Sequence, residues 1–455
     1  MKIATTILCL ICLFLMPQFA LAQNTKQSES NVLDFQLLRQ NDSIVIDEPQ
    51  DFYQEIKSIA LENNTTLSFG GSYRFQAEAF INEQFDKNKD QNKSWFLHRG
   101  MLHAHLKLGS KFEIFGELNS SLVSSKESIA PVDKDKLNIN QLFARYQFND
   151  NFNILVGRQN MRLGTGRLID VREGPNVRLS FDKAQLQYSN QNTKITGFYA
   201  IPVQQQLGVF DNDAFETDET LSSIYWTQNW TDKTNTDVYI FHKEEANKTW
   251  NTSAANDNRT SIGLRHFGTW KGLNYNNEFV YQLGKFGSET ISAWTASFII
   301  EKEFSVATPF TLGIKTEAIS GDKNSNDNTL NSFDALYPRG AYFGRVARFG
   351  PSNLIDVHPY FKSKIGKIDI EFDYVAFWRF STNDGVYNPA LMMDYPPEND
   401  ERFIGNQIGA IAGYQLNNFI GFELESNVIF PGAFLQQSNQ GDTLYHFVFT
   451  TEFKF

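Results

Sequence analysis

The chain has 455 residues, 14% of them aromatic with 41 Phe and 17 Tyr, yet its mean hydropathy is negative. A soluble chain of this length usually divides into several cores, whereas a membrane barrel alternates lipid-facing and water-facing residues and averages out polar as a single body. The net charge of −11 excludes a surface that binds nucleic acid or anions throughout, so any anion-binding function must be local.

Residues 3–22 follow Lys2 as an apolar run ending in Ala20, Leu21 and Ala22, the pattern of a secretory leader cut before Gln23. Both cysteines, Cys9 and Cys12, fall inside it, so the mature chain needs neither a disulfide nor thiol chemistry. No internal run reaches the ~18 apolar residues of a spanning helix. Residues 23–31 read as a polar, disordered stretch and residues 32–46 carry mixed signals. Over 51–61, Phe52, Ile56, Ile59 and Ala60 recur at helical spacing, which reads as a short periplasmic helix within an N-terminal segment, 23–65, with a plain linker as good an alternative.

From Leu67 the period becomes two. Leu67, Phe69, Tyr73, Phe75, Ala77, Ala79 and Ile81 share one face, and Ser68, Ser72, Arg74, Gln76 and Glu78 the other. The pattern recurs at 96–109, 111–124, 137–149, 152–162, 176–188, 192–202, 221–231, 235–246 and 259–269. It continues at 272–285, 289–302, 309–321, 354–366, 367–381, 402–415, 418–430 and 443–455. About eighteen such segments predict an all-β fold, a transmembrane antiparallel barrel spanning 66–455, porin-like and wide enough for an aqueous lumen. The short connections at 109–111, 149–151 and 415–418 would be periplasmic turns, and the long ones at 82–94, 246–258 and 382–401 would lie outside. The last segment places Tyr445, Phe447, Phe449, Phe453 and Phe455 on one face. It resembles the closing strand that the outer-membrane assembly machinery recognises, and it would remove the exposed edges.

Within 154–182, Arg158, Arg162, Arg167, Arg172 and Arg178 surround a Gly- and Pro-punctuated centre, which reads as a hairpin with a basic tip. Guanidiniums on strand ends and a loop suit carboxylates or phosphates, which their planar fork pairs bidentately. The alternative is a solvated loop with surface ion pairs. The sequence here resembles the alginate export family of outer-membrane barrels: Gly157-Arg158-Gln159, the turn Gly164–Leu168 and the string Arg172–Asp182 stand much as they do in that family. Lys183 departs from it, standing where the family carries Gly. A second stretch, from Ser320-Gly321-Asp322 through Tyr337-Pro338-Arg339 to Gly350-Pro351-Ser352-Asn353, resembles the family's long connection after strand thirteen, a loop suited to plugging or constricting a lumen. A third, from Pro202 to Asp211, extends the resemblance over nearly the whole mature chain.

The resemblance implies passage of a linear polyuronate through an arginine-lined pore. Such a polymer carries a carboxylate on every sugar, and passage needs donors that replace water without stalling the chain; arginine stays charged throughout. Alternation assigns Arg74, Arg145, Arg158, Arg162, Arg178, Arg265 and Arg379 to the lumen, with Arg172, Arg339, Arg345 and Arg348 contributed by inward-folded loops. Glu78, Asp369, Glu371, Asp373, Glu423 and Glu425 share that face and would hold arginines in position. For any one arginine, a lumen ion pair without substrate contact is as good a reading as a binding role. His103 and His105 lack a third ligand partner and read as lumen hydrogen-bonding groups. Asp322, Asn324 and Asn326 imitate a calcium loop whose sixth and twelfth positions, Asp327 and Phe333, do not fit.

No cofactor is called for, and none of the local hydrolase, protease or nucleotide-binding signatures occurs. The expected protein is a monomeric, anion-selective outer-membrane channel, not an enzyme, whose partners are an anionic polysaccharide or oligosaccharide, outer-membrane lipid and, through Phe455, the assembly machinery. The alternatives are an uptake porin for anionic sugars or organic acids and, from another class, a barrel-embedded hydrolase.

Overall fold

The computed structural model describes residues 33–44, 51–86, 92–213, 215–250 and 253–455; the expected leader and the polar stretch after it lie outside these. An eighteen-stranded antiparallel barrel closes on itself, in agreement with the period-two reading. Its strands are β1 Thr65–Ile81, β2 Lys93–Leu108, β3 Phe112–Ser124, β4 Asp135–Gln147, β5 Phe152–Gln159, β6 Phe181–Ser189, β7 Thr193–Pro202, β8 Glu219–Thr231 and β9 Thr234–Trp250. They continue with β10 Ser253–Trp270, β11 Leu273–Phe286, β12 Glu289–Phe304, β13 Phe310–Ile319, β14 Leu354–Ile365, β15 Ile368–Arg379, β16 Phe403–Gln415, β17 Ile420–Pro431 and β18 Leu444–Lys454. Consecutive strands pair throughout, and β18 returns to β1 with Tyr445 opposite Ile81 and Lys454 opposite Ser72. Among the described residues, no long strand is left with an open edge.

Alternation decides what each strand shows to lipid. On β15, Ile368, Phe372 and Tyr374 are exposed on the outer wall, while Val375, Phe377 and Arg379, on the other parity, are buried. Tyr146, Phe152, Trp230, Trp270 and Tyr414 are exposed beside the short turns, where amphipathic rings suit the membrane boundary.

The connections differ sharply between the two ends. At one end β2–β3, β4–β5, β6–β7 and β16–β17 join by tight turns. At the other, long connections leave β5, β7, β13 and β15. Two expectations are corrected here. Residues 246–250 and 253–258 belong to strands rather than to a long loop, because β9 and β10 extend to Trp250 and Ser253 and pair through Thr249 and Ala254. β5 stops at Gln159 and β6 starts at Phe181, so Arg162 and Arg178 belong to the connection between them rather than to strands. Gly164, Gly166 and Pro175 supply backbone that a ladder cannot use.

Ahead of the barrel, the expected helix is shorter than its periodic run. α1 spans Phe52–Lys57, capped by Asp51 accepting from the Gln54 N–H at 2.8 Å. Ile59 and Ala60 instead pair with β1, in a short strand Ile59–Leu61. Lys57 Nζ donates to the Phe69 carbonyl at 2.8 Å. Arg39 donates to the main-chain oxygens of Gly71 and Phe455, both at 3.0 Å. The N-terminal segment thus grips the seam where first and last strands meet.

The largest buried apolar cluster lies inside the barrel. Lumen-facing Phe198, Leu221, Tyr239, Phe241 and Val280 meet Leu168, Ile169, Phe333, Leu336, Tyr337 and Phe343 from the β5–β6 and β13–β14 connections. Burying these side chains, at about 1.5–3 kcal/mol for each fully covered one, holds both connections within the lumen.

Candidate functional site

The two inward connections are bound to each other as well as to the wall. Tyr337 N–H donates to the Leu168 carbonyl at 2.8 Å and Asp170 N–H to the Tyr337 carbonyl at 3.0 Å. Glycine is needed where they cross: a Cβ on Gly174 would lie 2.8 Å from the Ala341 Cβ, and one on Gly340 would lie 2.7 Å from the Pro175 ring. The β13–β14 connection is fastened outward by Asp334, which pairs with Lys248 and lies 4.0 Å from Arg259. Tyr337 donates to Glu219 at 2.7 Å and Tyr342 to Glu317 at 2.8 Å. The two stretches singled out in the sequence therefore form one folded insert inside the barrel.

On the short-turn side of this insert lies a cavity of about 790 Å³, whose lining includes Arg39, Arg74, Arg178, Arg345 and Glu173. Within this mixed-charge lining, arginines converge on one carboxylate. Glu173 Oε2 accepts from Arg178 Nε at 2.5 Å, Oε1 accepts from Arg99, and Arg74 Nη1 stands 3.5 Å from Oε1. Arg74 also donates to the main-chain oxygens of Glu173 and Pro175, at 2.8 and 2.9 Å. Arg172, just before Glu173, has φ of 57°, a conformation uncommon for a side-chain-bearing residue. Arg345 completes the arc, 3.2 Å from Glu423 and 3.5 Å from Glu425. Three desolvated guanidiniums thus share one carboxylate here.

Of the arginines expected in the lumen, Arg74, Arg178 and Arg345 are brought together at this cavity. Arg158 instead clamps two strands, donating from Nε and Nη2 to the two oxygens of Asp182, each at 2.8 Å. Arg162 stands 3.3 Å from Asp170 within the insert. Arg172 reaches the Pro338 carbonyl at 3.4 Å, and Arg339 lies over the Tyr342 ring, 5.4 Å from its centre. Arg145 pairs with Glu113 at 2.6 Å near the short turns. Arg265 pairs with Asp237 at 2.9 Å. Arg348 is held by Asp394.

Arg379 departs furthest from expectation. Fully buried, it gives its five donor contacts to the carbonyls of Thr382, Asp384, Asn399 and Glu401 and so fastens the long connection after β15. Of the two histidines, His105 contacts Glu113 at 3.1 Å and His103 lies 3.8 Å from Glu117.

Sequence reading missed Arg99 and the central role of Glu173. The first was available, because Arg99 shares a face with His103 and His105 on β2. Nothing local marks Glu173, since its partners come from β1, β2 and its own loop.

Residues 65–449 of the chain match the alginate export family. No curated protein matches it. Among solved structures it is similar to OccAB1 of Acinetobacter baumannii, with a TM-score of 0.56 at 10% identity over 88% of this chain and 99% of that one. OpdQ of Pseudomonas aeruginosa gives a TM-score of 0.55 at 9% identity, over 86% and 97%. OccK5 (OpdH) of Pseudomonas aeruginosa gives 0.55 at 11%, over 85% and 98%. At such identities these likenesses speak to the barrel alone. The family match spans nearly all of that barrel, including both connections of the insert, and the chain therefore belongs to the alginate export family, as an outer-membrane transport channel.

Proposed function

We propose that this channel passes an anionic polysaccharide of the polyuronate class, or its oligomers, passively through the lumen, and that Arg74, Arg178 and Arg345 contact the polymer's carboxylates. The observation that supports this most is the convergence of Arg74, Arg99 and Arg178 on the one Glu173 carboxylate beside a cavity large enough for sugar rings. Arg162, Arg172 and Arg339 would serve the next step of the path, through the insert. Arg145 would meet the chain near the short turns. Arg158, Arg348 and Arg379 act by holding the strands and loops that shape the passage. Such a pore has no direction of its own, so an uptake porin for smaller uronates uses the same contacts in reverse.

Single-channel recording of the refolded protein in a planar bilayer tests the reading, under a potassium chloride gradient and with mannuronate oligomers on either side. A reversal potential of anionic sign together with oligomer block is expected. Cation preference, or a conductance the oligomers leave untouched, would overturn it.

A further inference from the structure

Three guanidiniums at Glu173 have more donors than one carboxylate can accept. Arg74 Nε, Arg99 Nε and Nη1, and Arg178 Nη1 have no hydrogen-bond partner among the described residues, and all four are buried. The arginine side chains are 3%, 1% and 7% exposed, whereas Glu173 is 32% exposed beside the cavity. The loop is also held by contacts that do not involve that carboxylate. Arg74 grips main-chain oxygens at 173 and 175. The Asn176 side chain donates to the carbonyls of His98, Leu122 and Asp133 at 3.2, 3.1 and 2.9 Å. The side chain of Glu173 can therefore leave while its backbone stays.

We propose that Glu173 is a tethered stand-in for the carboxylate of a passing uronate, giving up the three arginines to each arriving sugar and reclaiming them as it moves on. The inference rests on the polyanion reading above. Its physical reason is a conflict inside any such pore. Buried arginines left bare are costly, and a bare trio would also hold a polyuronate so tightly that conduction stalls. A carboxylate on the wall resolves both: the exchange is anion for anion, so the arginines are never uncompensated. The tether also presents a competing anion at high effective concentration, which weakens retention of each sugar without abolishing it.

Glu173→Gln keeps the side chain's size and removes its charge. In the bilayer assay with a mannuronate tetramer as probe, the variant should reach half-block at a concentration about tenfold or more below that of the wild type, with correspondingly longer blocked intervals. Block of the wild type with no gain in the variant overturns the exchange and leaves the polyanion reading standing; indifference of both proteins to the tetramer overturns the reading itself. Should the glutamine variant fail to give a heat-modifiable barrel, Glu173→Asp serves. It keeps the charge but reaches the arginines one methylene short, and half-block at about a third of the wild-type concentration is expected. No tightening would overturn the exchange.

Discussion

At the scale of single residues, arginine divides into two occupations that composition cannot separate. Arg158 is mostly buried and gives both arms of its fork to Asp182 on the neighbouring strand. Removing it leaves a buried carboxylate uncompensated, a loss of about 3 kcal/mol or more. Arg162 is over a third exposed and lies 3.3 Å from the buried Asp170, which keeps the Arg172 N–H at 2.8 Å on its other oxygen; water screens this contact and part of the carboxylate's compensation survives its loss, so it is worth less. Arg158→Ala should therefore lower the heat at which the barrel unfolds on a gel, while Arg162→Ala lowers it less and reduces anion preference. Equal thermal losses in the two variants would show that Arg162 is structural as well. Alternation on a strand tells which wall a guanidinium faces. It cannot tell whether a carboxylate from another strand or loop has already taken it, which is why Arg74 and Arg379, read alike in sequence, end up so differently placed.

At the scale of elements, the strands were legible because period two is a local property, carried by residues such as Phe372 and Tyr374 against Asp373 and Val375. Strand ends were less so, since a ladder stops where its partner stops: β9 and β10 run on to Trp250 and Ser253 because each pairs with the other. The inward turn of the two connections was harder still. It depends on contacts between residues about 170 positions apart, such as Leu168 with Tyr337, and only their glycines and aromatics hinted at it. The helix α1 offers a test outside the membrane-spanning strands. Burial, then the charge of Arg39, depresses Lys57 to about 8, with Asp42 opposing. Between that value and the ordinary 10.5, the docked segment binds fewer protons than the free one, so docking strengthens as pH rises through this window. Chymotryptic cleavage after Phe52 and Tyr53, scaled to a free peptide of the same sequence, should slow between pH 7.5 and 9.5; an unchanged ratio would mean that Lys57 does not limit docking.

At the scale of the whole molecule, a chain of net charge −11 is proposed to prefer anions, and this requires that field and contact act at different ranges. Charges at the rim act through water and are screened over about 10 Å at 0.1 M salt and about 3 Å at 1 M. The cavity mixes Lys362, Lys364 and Lys454 with Asp369, Glu371 and Glu452, so its long-range field is a small difference between opposed charges. The arginines around Glu173 act otherwise, through donors at hydrogen-bonding distance with little water between. Raising salt from 0.1 to 1 M should therefore pull the anion-to-cation permeability ratio toward unity, while the concentration of mannuronate tetramer needed for half-block rises much less. A parallel collapse of both quantities would assign selectivity to the rim lysines, and the buried trio would then be a fastening of the insert. Retention of block after the ratio has gone would place recognition at the arginines, because only contacts that exclude water survive a Debye length shorter than a sugar ring.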